Sequence, residues 1–260
     1  GHPCMTLQAC ADLVRRGDPD RFLATMAAPP PARRILFPLY AFNLEVARAP
    51  WMVSEPMIAE MRLQFWRDVV EEMGQGAAPR AHEVAAPLSE ALPVSAAPQL
   101  DALIAARRWD IYKDAFEDQA HFDAYLDATS GNLAWVAAQA LGADAAAEGP
   151  IRAMAFAAGI AALLRAVPEL EARNRIPLLD GTPDGVRALA RRGLEKWHEG
   201  RAAQSRIARP ARAALLALWR TEPTLKVARA DPARIAEGRL DESEFARRAR
   251  LLKAQLTGRI

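Results

Sequence analysis

Strong helix formers fill almost every window of this 260-residue chain. No window shows the strict alternation of polar and apolar residues that a half-buried β-strand needs. Alanine, leucine and arginine dominate, whereas β-branched residues are sparse. Prolines and glycines cluster between the helical windows, as they do in connecting segments. The sequence therefore predicts an all-α protein.

One helical domain is expected. The length suits a single sizeable core, and neither an internal repeat nor a low-complexity linker divides the chain. Residues 1–4 precede Met5 and are expected to be an artificial leader, so the domain is predicted to span residues 5–260. The two cysteines, Cys4 and Cys10, are too few for a disulfide framework or a structural zinc site. They indicate a reducing compartment.

The charge balance bears on partners and location. The chain carries 34 basic and 32 acidic side chains, a net charge of +2. Nucleic-acid-binding proteins usually have a strong basic excess, so no nucleic-acid partner is expected. No run of about 18 uninterrupted apolar residues exists, so no membrane-spanning helix is expected. The N-terminus resembles neither a secretory signal nor a transit peptide. These features predict a cytoplasmic protein.

Apolar spacing and cap signals set the predicted helix bounds. The predicted helices are 6–16, 19–26, 32–48, 56–73, 82–92, 97–116, 119–141, 143–173, 183–207, 210–219 and 241–257. Asp18 is the expected N-cap of the second helix, and Asp241 with Glu244 forms a capping-box pattern in the last. Pro38 should kink the third helix or shift its start.

The familiar catalytic signatures are missing from the sequence. There is no GxGxxG, GxxxxGK[ST], HExxH or GxSxG, and the four histidines are scattered. What remains is an ordered series of short blocks. They are Tyr40-Ala41-Phe42-Asn43, Arg62 with Trp66, Asp110 after an apolar pair, Tyr125 to Asn132, Leu164-Arg165, and Arg175-Ile176-Pro177.

In this order and spacing, from about residue 20 to residue 225, the blocks resemble the squalene/phytoene synthase family of isoprenoid synthases. The resemblance implies a single antiparallel helical bundle around a deep apolar cavity. It also implies head-to-head condensation of two prenyl diphosphates. Two aspartate-rich motifs on facing helices hold Mg²⁺ in that family, since carboxylates four residues apart share a helix face and suit a hard cation.

Carried onto this chain, the metal-binding aspartate positions fall on other residue types. Those of the first motif fall on Ala47 and Trp51, and those of the second on Ala166 and Leu170. None of these side chains can ligate Mg²⁺. The expectation is therefore that the protein has no catalytic residues of this kind, no metal and no cofactor.

Nearby acids offer an alternative. Glu45 lies two residues before Ala47, roughly 200° around the helix. Glu169 and Glu171 flank Leu170. An active prenyltransferase that condenses prenyl diphosphates, with Mg²⁺ as its cofactor, would have to use these displaced carboxylates.

A narrower resemblance covers two segments. The first is 40–45 with 53–55 and 61–66, and the second is 164–168, where Ala166-Val167-Pro168 stands in place of the aspartate. Both are similar to a divergent branch of the family that includes an assembly factor for mitochondrial respiratory complex I and its bacterial relatives. That resemblance implies a non-catalytic assembly or binding protein with a protein client. A third alternative is an isoprenoid or lipid carrier that keeps the cavity without the chemistry.

Several side chains are candidates for the pocket or for anion binding. Aromatic residues at helical spacing can line a cavity or form ordinary core, and arginines can grip a phosphate or pair with the carboxylates of Glu60, Asp68, Glu169 or Asp110. For Asp110 a structural arginine partner is favoured. The candidates are Tyr40, Asn43, Arg62, Trp66, Asp110, Tyr125, Arg165 and Arg175.

A basic run near the C-terminus suggests a second kind of surface. Arg247, Arg248, Arg250 and Lys253 stand beside Phe245, Leu251, Leu252 and Leu256. Such a helix face can bind an anionic membrane or simply be solvated. If this run binds a membrane, the expected association is a peripheral contact at the inner membrane face.

Overall fold

The computed structural model describes residues 3–238, 240 and 244–257, and every regular element in that part of the chain is helical. The α-helices are α1 (Pro3–Gly17), α2 (Pro19–Ala27), α3 (Arg33–Arg48), α4 (Pro56–Gly74), α5 (Ala85–Ala91), α6 (Ala97–Arg107), α7 (Gln119–Leu126), α8 (Asn132–Ala140), α9 (Glu148–Ala172), α10 (Pro183–Ala202), α11 (Thr221–Ala230), α12 (Ala233–Ala236) and α13 (Glu244–Thr257). The predicted all-α, single-domain architecture is confirmed.

Two helices organise the bundle. Helix α9 packs along α10 and also contacts α8, α11 and the segment 127–131. Helix α3 packs against α1, α5 and α8, and its residues 36–44 are all buried. A helix that is enclosed on all sides needs apolar residues around its whole circumference, which is what this stretch supplies. Pro38 lies within α3 without ending it, and a short 3₁₀ turn, Pro30–Ala32, precedes the helix.

Most predicted helices are present, and Asp18 does cap α2 by accepting from the backbone N–H of Arg21 at 3.2 Å. Several predicted bounds were wrong, and three of the differences involve a change in the type of helix. Helix α6 ends at Arg107 and continues as the 3₁₀ turn Arg108–Ile111, and a π-helical segment, Asp127–Gly131, interrupts 119–141. The stretch 210–219 is 3₁₀ rather than α. Apolar spacing does not distinguish these tighter or wider turns from α-helix.

The helices after residue 220 differ from the prediction in another way. Helices α11 and α12 were not predicted. Pro223 near the start of α11 is the signal that sequence reasoning passed over. Helix α13 is described from Glu244, so the capping-box residue Asp241 lies outside the described residues.

One helical stretch passes a test for membrane-spanning segments that allows a few charged residues. The criterion applied to the sequence required an uninterrupted apolar run. Ala145–Ala172 is long and apolar enough to cross a membrane, with a mean hydropathy of 1.5. The expectation that no helix would span a membrane was based on runs without a charge, and this finding of length and composition does not test it. Half of the window is buried inside the protein, where α9 packs on α10. Buried core helices pass the same test of length and composition.

Asp20 joins distant parts of the chain. Its carboxylate in α2 accepts from Arg220, just before α11, and from Arg247 of α13 at 2.6 Å. The guanidinium of Arg247 also lies over the ring of Trp219, 5.6 Å from its centroid. One cation of the basic C-terminal run is therefore committed to the fold.

Candidate functional site

A cavity of about 290 Å³ lies where the C-terminal ends of α3 and α9 meet the segments that follow α6 and α7. Ala47 and Trp51 line it from α3 and the turn after it, and Ala166 and Leu170 line it from α9. The structure thus brings together the four positions onto which the family resemblance carries the aspartates. Their side chains present methyl, indole and isobutyl groups to the cavity. Within the described ranges, no group of three or more His, Cys, Asp or Glu residues is arranged to hold a metal ion.

Trp51 and Arg175 form one wall of the cavity. The guanidinium of Arg175 lies 4.7 Å from the centroid of the Trp51 ring, and that of Arg173 lies 5.2 Å from it. Arg175 donates to the carbonyl oxygen of Tyr112 and, at 3.5 Å, to that of Ile111. Each of its two Nη atoms therefore makes one hydrogen bond to a backbone acceptor. Burial holds the pKa of Arg175 below its usual range, although the charge of Asp110 acts in the opposite direction.

The end of α9 explains how Arg175 reaches this position. Asn174 has a φ of 62°, and the backbone N–H of Arg175 donates to the carbonyl oxygen of Leu170 at 2.9 Å. This is the Schellman arrangement, in which a left-handed residue ends the helix and reverses the chain. Asparagine tolerates that conformation better than most residues. The reversal turns the chain back so that Arg175 can stack on Trp51.

A buried ionic cluster lies on the opposite wall. Arg107 donates through Nη1 to Asp110 at 3.0 Å and to the Tyr125 hydroxyl at 2.9 Å. The Tyr125 hydroxyl donates to the second oxygen of Asp110 at 2.6 Å. Asp110 therefore has the arginine partner that the sequence analysis favoured. The cluster is internally neutralised, so its charges are not free to bind an anion.

The surroundings of this cluster shift the pKa values of two of its members. Burial lowers the pKa of Arg107, but Tyr125 and Asp110 more than offset this effect, so the pKa is raised overall. Burial also raises the pKa of Tyr125, and the neighbouring Asp110 adds to the rise while Arg107 opposes it. Arg107 is therefore charged and Tyr125 neutral at physiological pH.

The π-helical segment shapes the third wall. It follows Tyr125 directly, and the Thr129 hydroxyl donates to the Tyr125 carbonyl at 2.8 Å, which helps to satisfy the displaced backbone. Helix α9 approaches this segment closely at Gly159. A Cβ there would lie 3.1 Å from the Ser130 Oγ and 3.2 Å from Leu126. A larger residue at position 159 would therefore require Ser130 and Leu126 to shift by a few tenths of an ångström.

The structure gathers some sequence candidates and disperses others. Asp110, Tyr125 and Arg175 line the cavity with the four motif positions. The remaining five candidates, Tyr40, Asn43, Arg62, Trp66 and Arg165, are not among its lining residues.

Three of the dispersed candidates lie in the buried core. Tyr40 is buried beneath Arg21, whose guanidinium lies 5.6 Å from its ring. Trp66 is buried in edge-to-face contact with Phe42. Asn43 is likewise buried in α3.

Two candidate arginines lie elsewhere. Arg62 is exposed beside Met52, with 4.0 Å between its Nη1 and the Met52 sulfur. Arg165 donates to the Thr224 hydroxyl at 2.9 Å and lines a separate small pocket of about 90 Å³.

The displaced acids also lie away from the cavity lining. Glu45 is half-buried, and Glu171 is exposed. Glu169 is 73% exposed and pairs with Arg173 at 3.1 Å. The two carboxylates that do line the cavity are Asp110, which is engaged in the ionic cluster, and the exposed Asp114.

Sequence reasoning missed several residues of the cavity wall, among them Arg107 and Trp109. Arg107 precedes Asp110 by three residues, a spacing that pairs side chains on one helical face and could have indicated the ion pair. Trp109 stacks on Phe116 with 4.0 Å between ring centroids. No spacing rule would have shown that contact, because it crosses an irregular connection.

A helical bundle whose four motif positions converge on one internal cavity defines the isoprenoid-synthase class of fold. A sequence profile described as squalene/phytoene synthase matches residues 14–178, well over half of the chain. The protein therefore belongs to the squalene/phytoene synthase family, as the sequence resemblance predicted.

Curated relatives lie in the divergent branch that the sequence resembled. The chain is 29% identical over 170 residues to NADH dehydrogenase (ubiquinone) complex I, assembly factor 6 of Mus musculus. That match covers 64% of this chain and 51% of the mouse protein. Identity to the Drosophila melanogaster homolog is 30% over 180 residues, covering 65% and 53%. The chain thus spans about half the length of the curated relatives it matches.

Solved structures support the same fold. A dehydrosqualene synthase bound to a ligand superposes with a TM-score of 0.79 at 15% identity, covering 98% of this chain and 96% of that one. Squalene synthase HpnC from Alicyclobacillus acidocaldarius superposes with a TM-score of 0.72 at 19% identity, covering 88% and 94%. At such low identity these likenesses establish the fold alone.

Proposed function

We propose that this protein is a non-catalytic member of its family that acts as an assembly or binding protein, similar in role to the complex I assembly factors. The observation that carries the proposal is the convergence of Ala47, Trp51, Ala166 and Leu170 on one cavity. Mg²⁺ takes oxygen ligands, and these four side chains supply none.

The charges around the cavity support the same interpretation. Departure of diphosphate needs cations to neutralise the developing negative charge. Arg107 is already paired with Asp110, and Arg175 is held by two backbone carbonyls and by Trp51. Among the described lining residues, Arg175 is therefore the cation without a carboxylate partner, and a single guanidinium does not replace the divalent cations.

The identity of the similar proteins favours assembly as the replacement role. They are complex I assembly factors, and the match reaches about half of their length. A protein client that belongs to a respiratory complex is the corresponding proposal for this chain. Cytoplasmic location, with peripheral contact at the inner membrane face, is part of the same proposal, because such a client would be assembled at that membrane.

A product assay tests the loss of catalysis. The protein is incubated with farnesyl or geranylgeranyl diphosphate and Mg²⁺ or Mn²⁺, beside an active dehydrosqualene synthase as a positive control. The expected result is no squalene, phytoene or presqualene-type product above the level without protein. A hydrocarbon product formed by this chain would overturn the proposal and support the use of displaced acids.

A genetic experiment tests the assembly role. Deletion of the gene in its source organism should lower the amount of mature complex I on native gels, and a plasmid copy should restore it. Unchanged complex I in the deletion strain would contradict the assembly role even if the product assay were negative.

The cavity supports a second candidate, an isoprenoid or lipid carrier. About 290 Å³ of space is lined largely by apolar side chains, which suits a hydrophobic ligand or a part of one. Native mass spectrometry of the purified protein should then show a co-purified lipid that denaturation releases. A spectrum with protein alone would count against this candidate.

A further inference from the structure

Exposed apolar side chains gather around the mouth of the cavity. We define the Met rim as Met52, Met57, Ile58, Met61, Tyr112 and Ile176. It holds six of the eleven large hydrophobic residues that are exposed in the described part of the chain. Met57 and Met61, one helical turn apart on α4, are 74% and 66% exposed. Exposed apolar groups are ordinary when single, but a contiguous patch marks an interaction site.

Hydrogen bonds and side-chain contacts connect the segments of the Met rim. Arg62 of α4 touches Met52, and the Tyr112 hydroxyl donates to Glu60 of α4 at 2.9 Å. Arg175, next to Ile176, donates to the Tyr112 carbonyl. Three separate stretches of the chain therefore meet on one face.

The same face leads to the cavity. An open groove of about 530 Å³ is lined by Met52 and Tyr112 and shares Trp51 and Arg175 with the inner cavity. The Trp51–Arg175 stack thus borders both the groove and the cavity.

The charge around the rim is positive. Segments 48–62, 111–114 and 173–176 contain five cations and three acids. This excess of two positive charges equals the net charge of the whole chain, +2. One of the acids, Glu60, is held by Arg108 at 2.9 Å. Arg48, Arg62 and Lys113 are exposed and form no ion pair with any described residue.

We propose that the Met rim is the surface by which this protein docks on an anionic lipid bilayer, with the mouth of the cavity facing the lipid. This inference rests on the membrane placement proposed above and assigns it to a definite surface. Flexible methionines can insert into the acyl boundary, and Tyr112 combines an apolar ring with a polar hydroxyl. The stems of Arg48, Arg62 and Lys113 can lie along the apolar surface while their charges meet lipid phosphates.

The C-terminal helix is the rival surface suggested by the sequence. Leu252 and Leu256 of α13 are exposed, so this face could also touch lipid. Arg247, however, is engaged by Asp20 and Trp219, and Leu251 is buried. The rim therefore offers more exposed apolar groups and more unpaired cations.

Vesicle binding tests the proposal. The full chain is sedimented with large vesicles of phosphatidylcholine alone or mixed with one quarter phosphatidylglycerol, at low and high salt. The test variants are M57Q/M61Q and R62Q/K113Q, and L252Q/L256Q is the matched control on α13. All of the substituted side chains are exposed, and circular dichroism confirms that each variant is folded.

The wild type and L252Q/L256Q should bind anionic vesicles alike and weaken at high salt. M57Q/M61Q should lower the partition coefficient roughly tenfold. R62Q/K113Q should lower it by a similar factor on anionic vesicles and have little effect on neutral ones. Hydrogen exchange should show protection of residues 52–61 and 111–114 when vesicles are added.

Three results would overturn the proposal. They are no vesicle binding by the wild type, unchanged binding by both rim variants, and loss of binding in the α13 control alone. The first would favour a protein as the occupant of the rim. None of these results bears on the product assay or on complex I levels, so failure of the rim is distinguishable from failure of the proposed function.

Discussion

The indole ring of Trp51 lies face-on beneath the guanidinium of Arg175, 4.7 Å away, at a position where the family resemblance places a metal-binding carboxylate. A cation stacked on an aromatic ring is stabilised by the negative face of the ring. The contact therefore places an aromatic ring and a guanidinium, rather than a carboxylate, at this wall of the cavity. The same two side chains also line both the outer groove and the cavity.

Replacing Trp51 tests how much its contact with Arg175 contributes to the stability of the protein. Trp51→Ala removes the ring and leaves Arg175 over empty space, so we expect a loss of about 2 kcal/mol in the free energy of unfolding. Trp51→Phe keeps an aromatic face and should cost less than about 1 kcal/mol. Urea denaturation measures both. Equal losses for the two variants would show that the stack contributes nothing beyond apolar contact.

Restoring carboxylates should create a metal site where the wild type has none. The fourfold variant A47D/W51D/A166D/L170D places two pairs of oxygen ligands around one cavity, and hard divalent cations bind such clusters. We expect saturable Mn²⁺ binding by electron paramagnetic resonance in this variant and none in the wild type. Because crowded carboxylates repel one another, the variant should also be less stable without metal. Saturable Mn²⁺ binding by the wild type would contradict the proposed function.

The buried cluster should be sensitive to loss of its carboxylate. Asp110→Asn leaves the charge of Arg107 with weaker partners, and we expect a loss of about 2–3 kcal/mol in unfolding free energy. The matched control is Asp101→Asn, which breaks the exposed ion pair with Arg67 and should cost less than about 1 kcal/mol. Chemical denaturation at pH 7 compares the two. Similar small losses would mean that water compensates for Asp110.

All three tyrosines of the chain should resist ionisation in the native state. Burial raises the pKa of Tyr40 to about 12 and also raises that of Tyr125, whereas the hydrogen bond with Glu60 raises that of Tyr112. An unfolded tyrosine has a pKa of about 10. Native protein at pH 10.5 should therefore show little tyrosinate absorbance at 295 nm. Unfolding in guanidinium at the same pH should raise this absorbance strongly, because the unfolded tyrosines ionise.

These pKa values also give a direction to the alkaline stability. Below pH 10 both states are protonated and the full stability is present. Above pH 10 the unfolded state loses protons that the folded state retains, so stability falls as the pH rises toward 12. For Tyr40 the shift corresponds to about 2–3 kcal/mol. Denaturation midpoints that stay constant between pH 9 and 11.5 would contradict this expectation.

The contact between α9 and α10 should depend on a glycine. A Cβ at Gly200 would lie 2.5 Å from the carbonyl oxygen of Pro150, and a backbone atom cannot easily move away. We expect Gly200→Ala to cost about 1–3 kcal/mol of unfolding free energy. Gly149→Ala in α9 meets nothing within 4 Å and should be neutral or slightly stabilising. Thermal denaturation distinguishes the pair, and equal melting temperatures would show that α10 shifts freely.

The helix content was predictable because it follows from local residue patterns. The family was predictable because short motifs occur in its order and spacing. Continuous burial of residues 36–44 follows from the apolar character of that stretch, and Asp18 caps α2 as its position before Pro19 indicates. The convergence of Ala47 and Ala166 on one cavity follows from the resemblance, since the sequence separates them by more than a hundred residues.

The rest of the site depends on contacts that spacing does not encode. The hydrogen bonds of the π-helical segment span one residue more than those of an α-helix. An apolar pattern does not reveal this change. The stack of Arg175 on Trp51 depends on the left-handed conformation of Asn174, a choice made by a single residue. The dispersal of Arg62 and Arg165 away from the cavity likewise depends on the direction each side chain takes from its helix.

The carboxylate of Asp20 has implications for how this protein is made. Its two cationic partners, Arg220 and Arg247, lie 200 and 227 residues further along the chain. During synthesis the ribosome delivers α2 long before either arginine exists. Until the distant segments are synthesised, Asp20 is therefore solvated and part of the apolar surface of the early helices is exposed. Such long-range closure slows folding and leaves a nascent chain open to aggregation. Chaperones that bind exposed apolar surface can protect the nascent chain during this period.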